Sequence, residues 1–158
     1  MNTKMQAART VGDSLEIIAF RLNSREFCVR TIAIREIRGW APSTPIPHSP
    51  PEVVGVMNLR GSVIPIIDLA RKLGIPSTEA NERSAIVVAD VHNMAIGLVV
   101  DGVSDILTVT TSQIQPVPKI SSIDQDFCEG IVTQPDGMIC FLNLNAMFRQ
   151  AEIETLAA

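Results

Sequence analysis

The chain alternates short apolar runs, rich in β-branched residues, with turn signals. Residues 15–22 (LEIIAFRL) alternate imperfectly and predict a strand; 23–26 form a turn and 27–31 a second strand, giving a hairpin. Residues 32–37 place Ile34 and Ile37 three apart, with Arg35 and Glu36 between them, which predicts one helical turn before Gly39. Residues 42–51 hold five of the chain's ten prolines and must be an extended connector, since proline donates no ladder hydrogen bond. Residues 53–59 and 63–67 predict two strands around Arg60-Gly61-Ser62. Asp68 then caps a short helix over 69–73, ended by Gly74 and Pro76, and 77–83 form a polar loop.

The pattern then restarts. Strands are predicted at 85–91 and 94–100 around a His92-Asn93 turn. After Asp101-Gly102 a strand continues over 103–109, 113–118 are extended, and 119–126 form a polar connector. Residues 130–134 and 138–142 flank Pro135-Asp136-Gly137, a hairpin signal, and Asn143 caps a last helix expected from about 144 to 156. The restart is an internal repeat. Residues 27–37 fall on 96–106 at an offset of about 69, matching Ile34 with Val103, Glu36 with Asp105 and Ile37 with Ile106. Residues 55–62 fall on 130–137, and 63–73 on 138–148, at an offset of about 75. Two similar β units of about 70 residues are each near the size at which one core alone is marginal, so they are expected to share an apolar interface. Short strands with a closing helix suggest small barrels.

Composition sharpens this into an all-β reading. There are 34 Ile and Val against 10 Leu, and β-branched side chains suit a pleated surface. The 158 residues make one domain or two subdomains with a common core. Mean hydropathy is +0.25, yet no apolar run is long enough to span a bilayer, and the polar start carries no secretory signal. A net charge of −4, no basic cluster and no tyrosine argue against nucleic acid. Two histidines (His48, His92) and three cysteines (Cys28, Cys128, Cys140) lack metal-ligand spacing, so no metal or cofactor is expected, and the cysteines read as reduced packing thiols.

Catalytic motifs are absent: no G-x-S-x-G, no phosphate-cradling G-x-x-x-x-G-K-[ST], no G-x-G-x-x-G. Asp68 and Asp101 read as a helix cap and a turn residue, His92 as a solvated turn residue, and Met94 and Met138 as packing. No catalytic residue is assigned. What stands out is three apolar islands that contain charges: Glu36–Trp40, Gly55–Leu69 and Val99–Ile106. A hairpin tip with Gly61 has no need of Arg60, whereas arginine suits protein interfaces. Trp40 is either core or an interface anchor.

These islands (EIRGW, GVMNLRGSVIPIIDL and VVDGVSDILTVTTSQIQPVP) resemble the CheW-type chemotaxis coupling proteins, from residue 15 to about 148, with Trp40 where the family often has Tyr. The resemblance implies two packed five-stranded SH3-like β-barrels with short helices, including a C-terminal helix. They form a single domain over 14–152 between a flexible tail (1–13) and a C-terminal tail (153–158). It implies a non-enzymatic adaptor, cytoplasmic and recruited to membrane-bound receptor arrays without inserting into the membrane. The implied partners are the regulatory domain of a chemotaxis histidine kinase and the cytoplasmic tips of methyl-accepting chemoreceptors. Receptor contacts fall on Ile34, Glu36, Ile37, Arg60, Gly61, Val103 and Ile106, with Glu36 and Arg60 expected to pair beside a groove. Kinase contacts are expected at Gly55 and Val56 on a separate ground, because a glycine at a strand edge permits close approach of another backbone. The length leaves no room for a receiver domain, so the single-domain type is expected. The alternatives are a small ligand-binding β-barrel, a detached regulatory barrel of a kinase, or the coupling protein of a non-flagellar chemosensory system.

Overall fold

A computed structural model describes residues 13–77, 79–118, 127–149 and 152. The strands are β1 (Ser14–Leu22), β2 (Arg25–Arg30), β3 (Ile34–Gly39), β4 (Val53–Leu59), β5 (Ser62–Asp68), β6 (Ala85–Val91), β7 (Met94–Val100), β8 (Gly102–Thr110), β9 (Ile114–Gln115), β10 (Cys128–Gln134) and β11 (Gly137–Leu142). Two four-residue helices, α1 (Leu69–Lys72) and α2 (Leu144–Met147), follow β5 and β11. Asp68 and Asn143 cap them, their side-chain oxygens accepting from the backbone N–H of Arg71 and Ala146 at 3.2 Å each.

The strands form two sheets, β9-β10-β11-β2-β1-β8 and β3-β6-β7-β5-β4. The end strands β8 and β9 of the first sheet are joined through a single 3₁₀ turn, Thr111–Gln113, so that sheet closes on itself. The second closes in the same way: Thr44, downstream of β3, bridges Val56 of β4. Each barrel therefore takes a hairpin from one half of the sequence and its remaining strands from the other. β1–β2 complete the barrel of β8–β11, and β6–β7 complete the barrel of β3–β5. The two units expected from the repeat are not consecutive blocks of chain but interlocked ones.

The repeat is written into the hydrogen-bond register. Ile34 pairs with Ala89 and Glu36 with Val88, across a bulge; Val103 pairs with Phe20 and Asp105 with Ala19, across an equivalent bulge. A second matched pair of bulges separates Val53 from Gly55 and Cys128 from Gly130. At both of these glycines a neighbouring stretch of backbone comes close, the isolated bridge at Thr44 in one case and β9 in the other. A Cβ would lie 2.3 Å from the Thr44 carbonyl oxygen at Gly55 and 2.7 Å from that of Gln115 at Gly130.

Three apolar clusters explain the imperfect alternation. Ile17 and Ala19 face the first barrel's interior with Cys28, Val132 and Phe141; Ile64, Ile66, Ile86 and Val88 fill the second. The largest cluster lies between the sheets, where Ile18, Phe20 and Val29 of one meet Val87, Ile96 and Leu98 of the other. Central strands thus bury both faces, and their sequences read as near-continuous apolar runs.

Two local expectations are overturned. Residues 32–37 are not a helical turn: a 3₁₀ turn covers only Thr31–Ala33, and Ile34–Gly39 is strand. The spacing of three arose from the bulge, which returns Ile34 and Ile37 to the same face. The last helix does not run unbroken to 156, since Phe148 ends it in an extended conformation after one turn. The rest of that helix, apart from Arg149 and Glu152, lies outside the described residues, as do the connector 119–126, nearly all of the expected N-terminal tail and all of the C-terminal one.

Candidate functional site

Glu36 and Arg60 meet across the mouth of the second barrel. β3 carries Glu36 opposite Val88, a residue of that barrel's interior, so the carboxylate lies against the apolar mouth and is mostly shielded from solvent. Arg60 occupies the β4–β5 turn and donates from Nη2 to Glu36 Oε2 at 2.8 Å. Arg38 Nη1 lies 3.5 Å from the other oxygen, Oε1, which is buried and accepts no hydrogen bond. The turn places Arg60 at φ 53° and Gly61 at φ 87°, with the Gly61 N–H donating to Asn58 Oδ1 at 3.1 Å. Glycine and asparagine suit this left-handed backbone; arginine does not, at a cost of about 1–2 kcal/mol. The side chain is 78% exposed, so burial does not account for its presence.

The repeat sharpens the point. At its offset Asp105 stands where Glu36 does, but Pro135 stands where Arg60 does. The barrel architecture is therefore complete without the ion pair. A groove of about 390 Å³ opens beside the pair, walled by Pro65, Met94, Ala95 and Val63, the last 62% exposed. From sequence Val63 reads as ordinary strand and Met94 as packing, so neither is a candidate there. The signal available was that Val63 immediately follows a tight turn, where a strand has not yet entered the core.

The four apolar candidates share one geometric property. Ile34 pairs with Ala89, Ile37 with Val87, Val103 with Phe20 and Ile106 with Ile18, and all four partners belong to the cluster between the sheets. Directly opposed residues share a face, so all four candidates lie on the faces that the two sheets turn toward each other. Ile34 and Val103 pack partly buried against that cluster, while Ile37 and Ile106 remain 42% and 56% exposed. Trp40 is also 42% exposed and so is not core.

The remaining candidates have structural explanations. Gly55 is buried and its missing side chain admits Thr44 of the same chain; Val56, half-buried, donates its N–H to the Thr44 carbonyl at 2.8 Å. Asp68 caps α1 and accepts from Ser77 Oγ at 2.7 Å. Asp101 Oδ2 accepts from the Asn23 N–H at 2.6 Å, tying the β1–β2 turn to the β7–β8 turn. His92 Nε2 sits at hydrogen-bond distance from the Asn145 carbonyl, half-buried rather than freely solvated. Among the described residues, no three His, Cys, Asp or Glu side chains are arranged to hold a metal ion.

Interlocked barrels with an exposed apolar seam and an ion pair the architecture does not require define a protein-interaction domain. The chain matches the CheW-like domain family over residues 16–152. It is 51% identical over 140 residues to a probable chemotaxis protein CheW of Rhizobium etli, covering 88% of this chain and 90% of that protein. It is 31% identical over 148 residues to the chemotaxis protein CheW of Klebsiella aerogenes, covering 93% and 88%. The crystal structure of the scaffolding protein TtCheW from Thermoanaerobacter tengcongensis superposes with a TM-score of 0.80 at 30% identity, covering 85% of this chain and 92% of that one. The chain belongs to the CheW-like family, the adaptor proteins of chemotaxis signalling. No helix among the described residues is long and apolar enough to cross a membrane.

Proposed function

We propose that this protein couples methyl-accepting chemoreceptors to a cytoplasmic histidine autokinase, as a connector that catalyses no reaction itself. A receptor's helical tip docks along Ile34, Ile37, Val103 and Ile106, with Glu36, Arg60 and Gly61 at its rim. The observation that carries this reading is the placement of all four apolar residues on the facing sides of the two sheets, with Ile37 and Ile106 still uncovered. A helix seated in a groove needs an apolar stripe for affinity and a few charges to fix its register. Arg60, held at an unfavourable φ and mostly exposed, supplies such a charge.

The kinase's regulatory domain docks on β4, an end strand of its sheet, around Gly55 and Val56. Because Gly55 is buried, its part is to let the segment at Thr44 lie flat against β4 and so shape that face. Residues 14–152 act as one unit, with 1–13 and 153–158 as tails, and the protein works at receptor arrays on the cytoplasmic side.

The test is charge reversal at the rim. Arg60→Glu should cut co-sedimentation with vesicle-bound receptor signalling fragments by tenfold or more, a loss of about 1.4 kcal/mol or greater, while thermal unfolding barely moves. Undiminished binding by the folded variant would overturn the assignment of Arg60 to the receptor contact.

A further inference from the structure

Cys128 and Cys140 are twelve positions apart in sequence, yet their Sγ atoms lie 2.7 Å from each other, both as free thiols. A disulfide requires about 2.05 Å, so only a small further approach separates the two sulfurs from bonding. The approach follows from the fold. The bulge at Cys128/Gly130 shifts the register of β10 and sets Cys128 opposite Leu142, and Cys140 lies on that same face two residues earlier. The corresponding positions in the other barrel, at the offset of 75, are Val53 and Pro65. The architecture is thus satisfied there without sulfur, so packing does not demand two thiols here.

We propose that Cys128 and Cys140 form a reversible dithiol–disulfide pair, a modification site oxidised by peroxide. The Cys128 thiolate attacks one oxygen of hydrogen peroxide; the O–O bond breaks, Cys128 becomes a sulfenic acid and the departing hydroxide takes up a proton to leave as water. The Cys140 sulfur then attacks the Cys128 sulfur; the S–S bond forms, the S–O bond breaks and the second water leaves with the Cys140 proton. Two thiols lose two electrons and two protons, and one peroxide is reduced to two waters. Cys128 suits the first step. With the Cys140 thiol as donor in the contact between the two sulfurs, the pKa of Cys128 is drawn down to about 7 against the opposing effect of burial. Cys140, half-buried, stays protonated until it reacts, because its hydrogen bond to Cys128 and its burial both push its pKa up. Cys128 is buried too but keeps 7% exposure, whereas Cys28 has 0% and burial pushes its thiol up to about 12, so Cys28 takes no part.

The test uses the full-length wild-type protein treated with stoichiometric hydrogen peroxide. Titratable thiols should fall from three to one, the intact mass should drop by two hydrogens, and a proteolytic map should show the Cys128 peptide joined to the Cys140 peptide. A dithiol reductant should restore all three thiols. The rate should rise with pH and level off above about 7. Cys128→Ser and Cys140→Ser should each abolish the link. Three persisting thiols, a bond made to Cys28, a bond made only between molecules, or oxidation stopping at a single sulfinic acid would each overturn the proposal.

Discussion

At the scale of single residues, Arg60 sets stability against function. Its backbone is left-handed, its side chain exposed, and its partner Glu36 is held near the barrel mouth. Asparagine accepts this turn conformation more readily, and although Glu36 is mostly shielded, a pair whose arginine is this exposed contributes only about 0–1 kcal/mol. Arg60→Asn should therefore leave the melting temperature unchanged or raise it slightly while weakening receptor binding, which calorimetry and sedimentation would measure side by side. The Lys72–Glu152 pair behaves differently. Burial raises the Glu152 pKa, but the hydrogen bond from Lys72 Nζ at 2.9 Å and its charge outweigh that, so the carboxyl titrates below its ordinary 4.5. A folded-state pKa below the unfolded one stabilises the fold at higher pH, and the gain is lost as pH falls through the folded value. The stability advantage of wild type over Glu152→Gln, followed by thermal melts, should be full at neutral pH and shrink below about 4.5. Single residues were unevenly legible in the sequence. Asp68 and Asn143 announced themselves as caps because capping is local chemistry. The closeness of Cys128 and Cys140 did not, because it depends on a bulge that no spacing reveals.

At the scale of elements, the bulges carry the design. Ile34 and Ile37, and likewise Val103 and Ile106, are three apart, a spacing that suggests a helix but here marks a strand with one extra residue. Periodicity alone does not separate the two cases; only the pairing with β6 and β1 does. The glycine after each of the other two bulges admits the neighbouring backbone. Gly55→Ala and Gly130→Ala should each destabilise the protein by about 1–3 kcal/mol, since the added methyl meets a carbonyl oxygen that cannot swing away like a side-chain end. Chemical denaturation would measure both. A much smaller effect at Gly130 than at Gly55 would show that the two closures are not mechanically equivalent. The strands themselves were legible because β-branched runs and turn residues are local. The parallel pairings of β2 with β11 and of β5 with β7 were not, because their partners lie far apart in the chain.

At the scale of the whole molecule, the interlocking of the barrels decides cooperativity. The repeat suggested two units with a common interface, and the largest apolar cluster does lie between the sheets. Sequence order could not show that each barrel borrows a hairpin from the other half of the chain. Neither half contains a complete barrel, so fragments 1–78 and 79–158 should each be largely unfolded alone and regain β structure when mixed, as circular dichroism would register. Independent folding of either fragment would contradict the interlocked arrangement. This interdependence also bears on function, because the seam between the sheets exists only when both halves are in place, and the proposed receptor contact lies along that seam. The most direct test of the coupling role is reconstitution of vesicle-bound receptor signalling fragments with histidine kinase, with and without this protein, followed by sedimentation and kinase autophosphorylation. The expected result is that kinase sediments with receptor, and its activity comes under receptor control, only when the protein is present. Folded protein that binds neither component and leaves kinase activity unchanged would contradict the account.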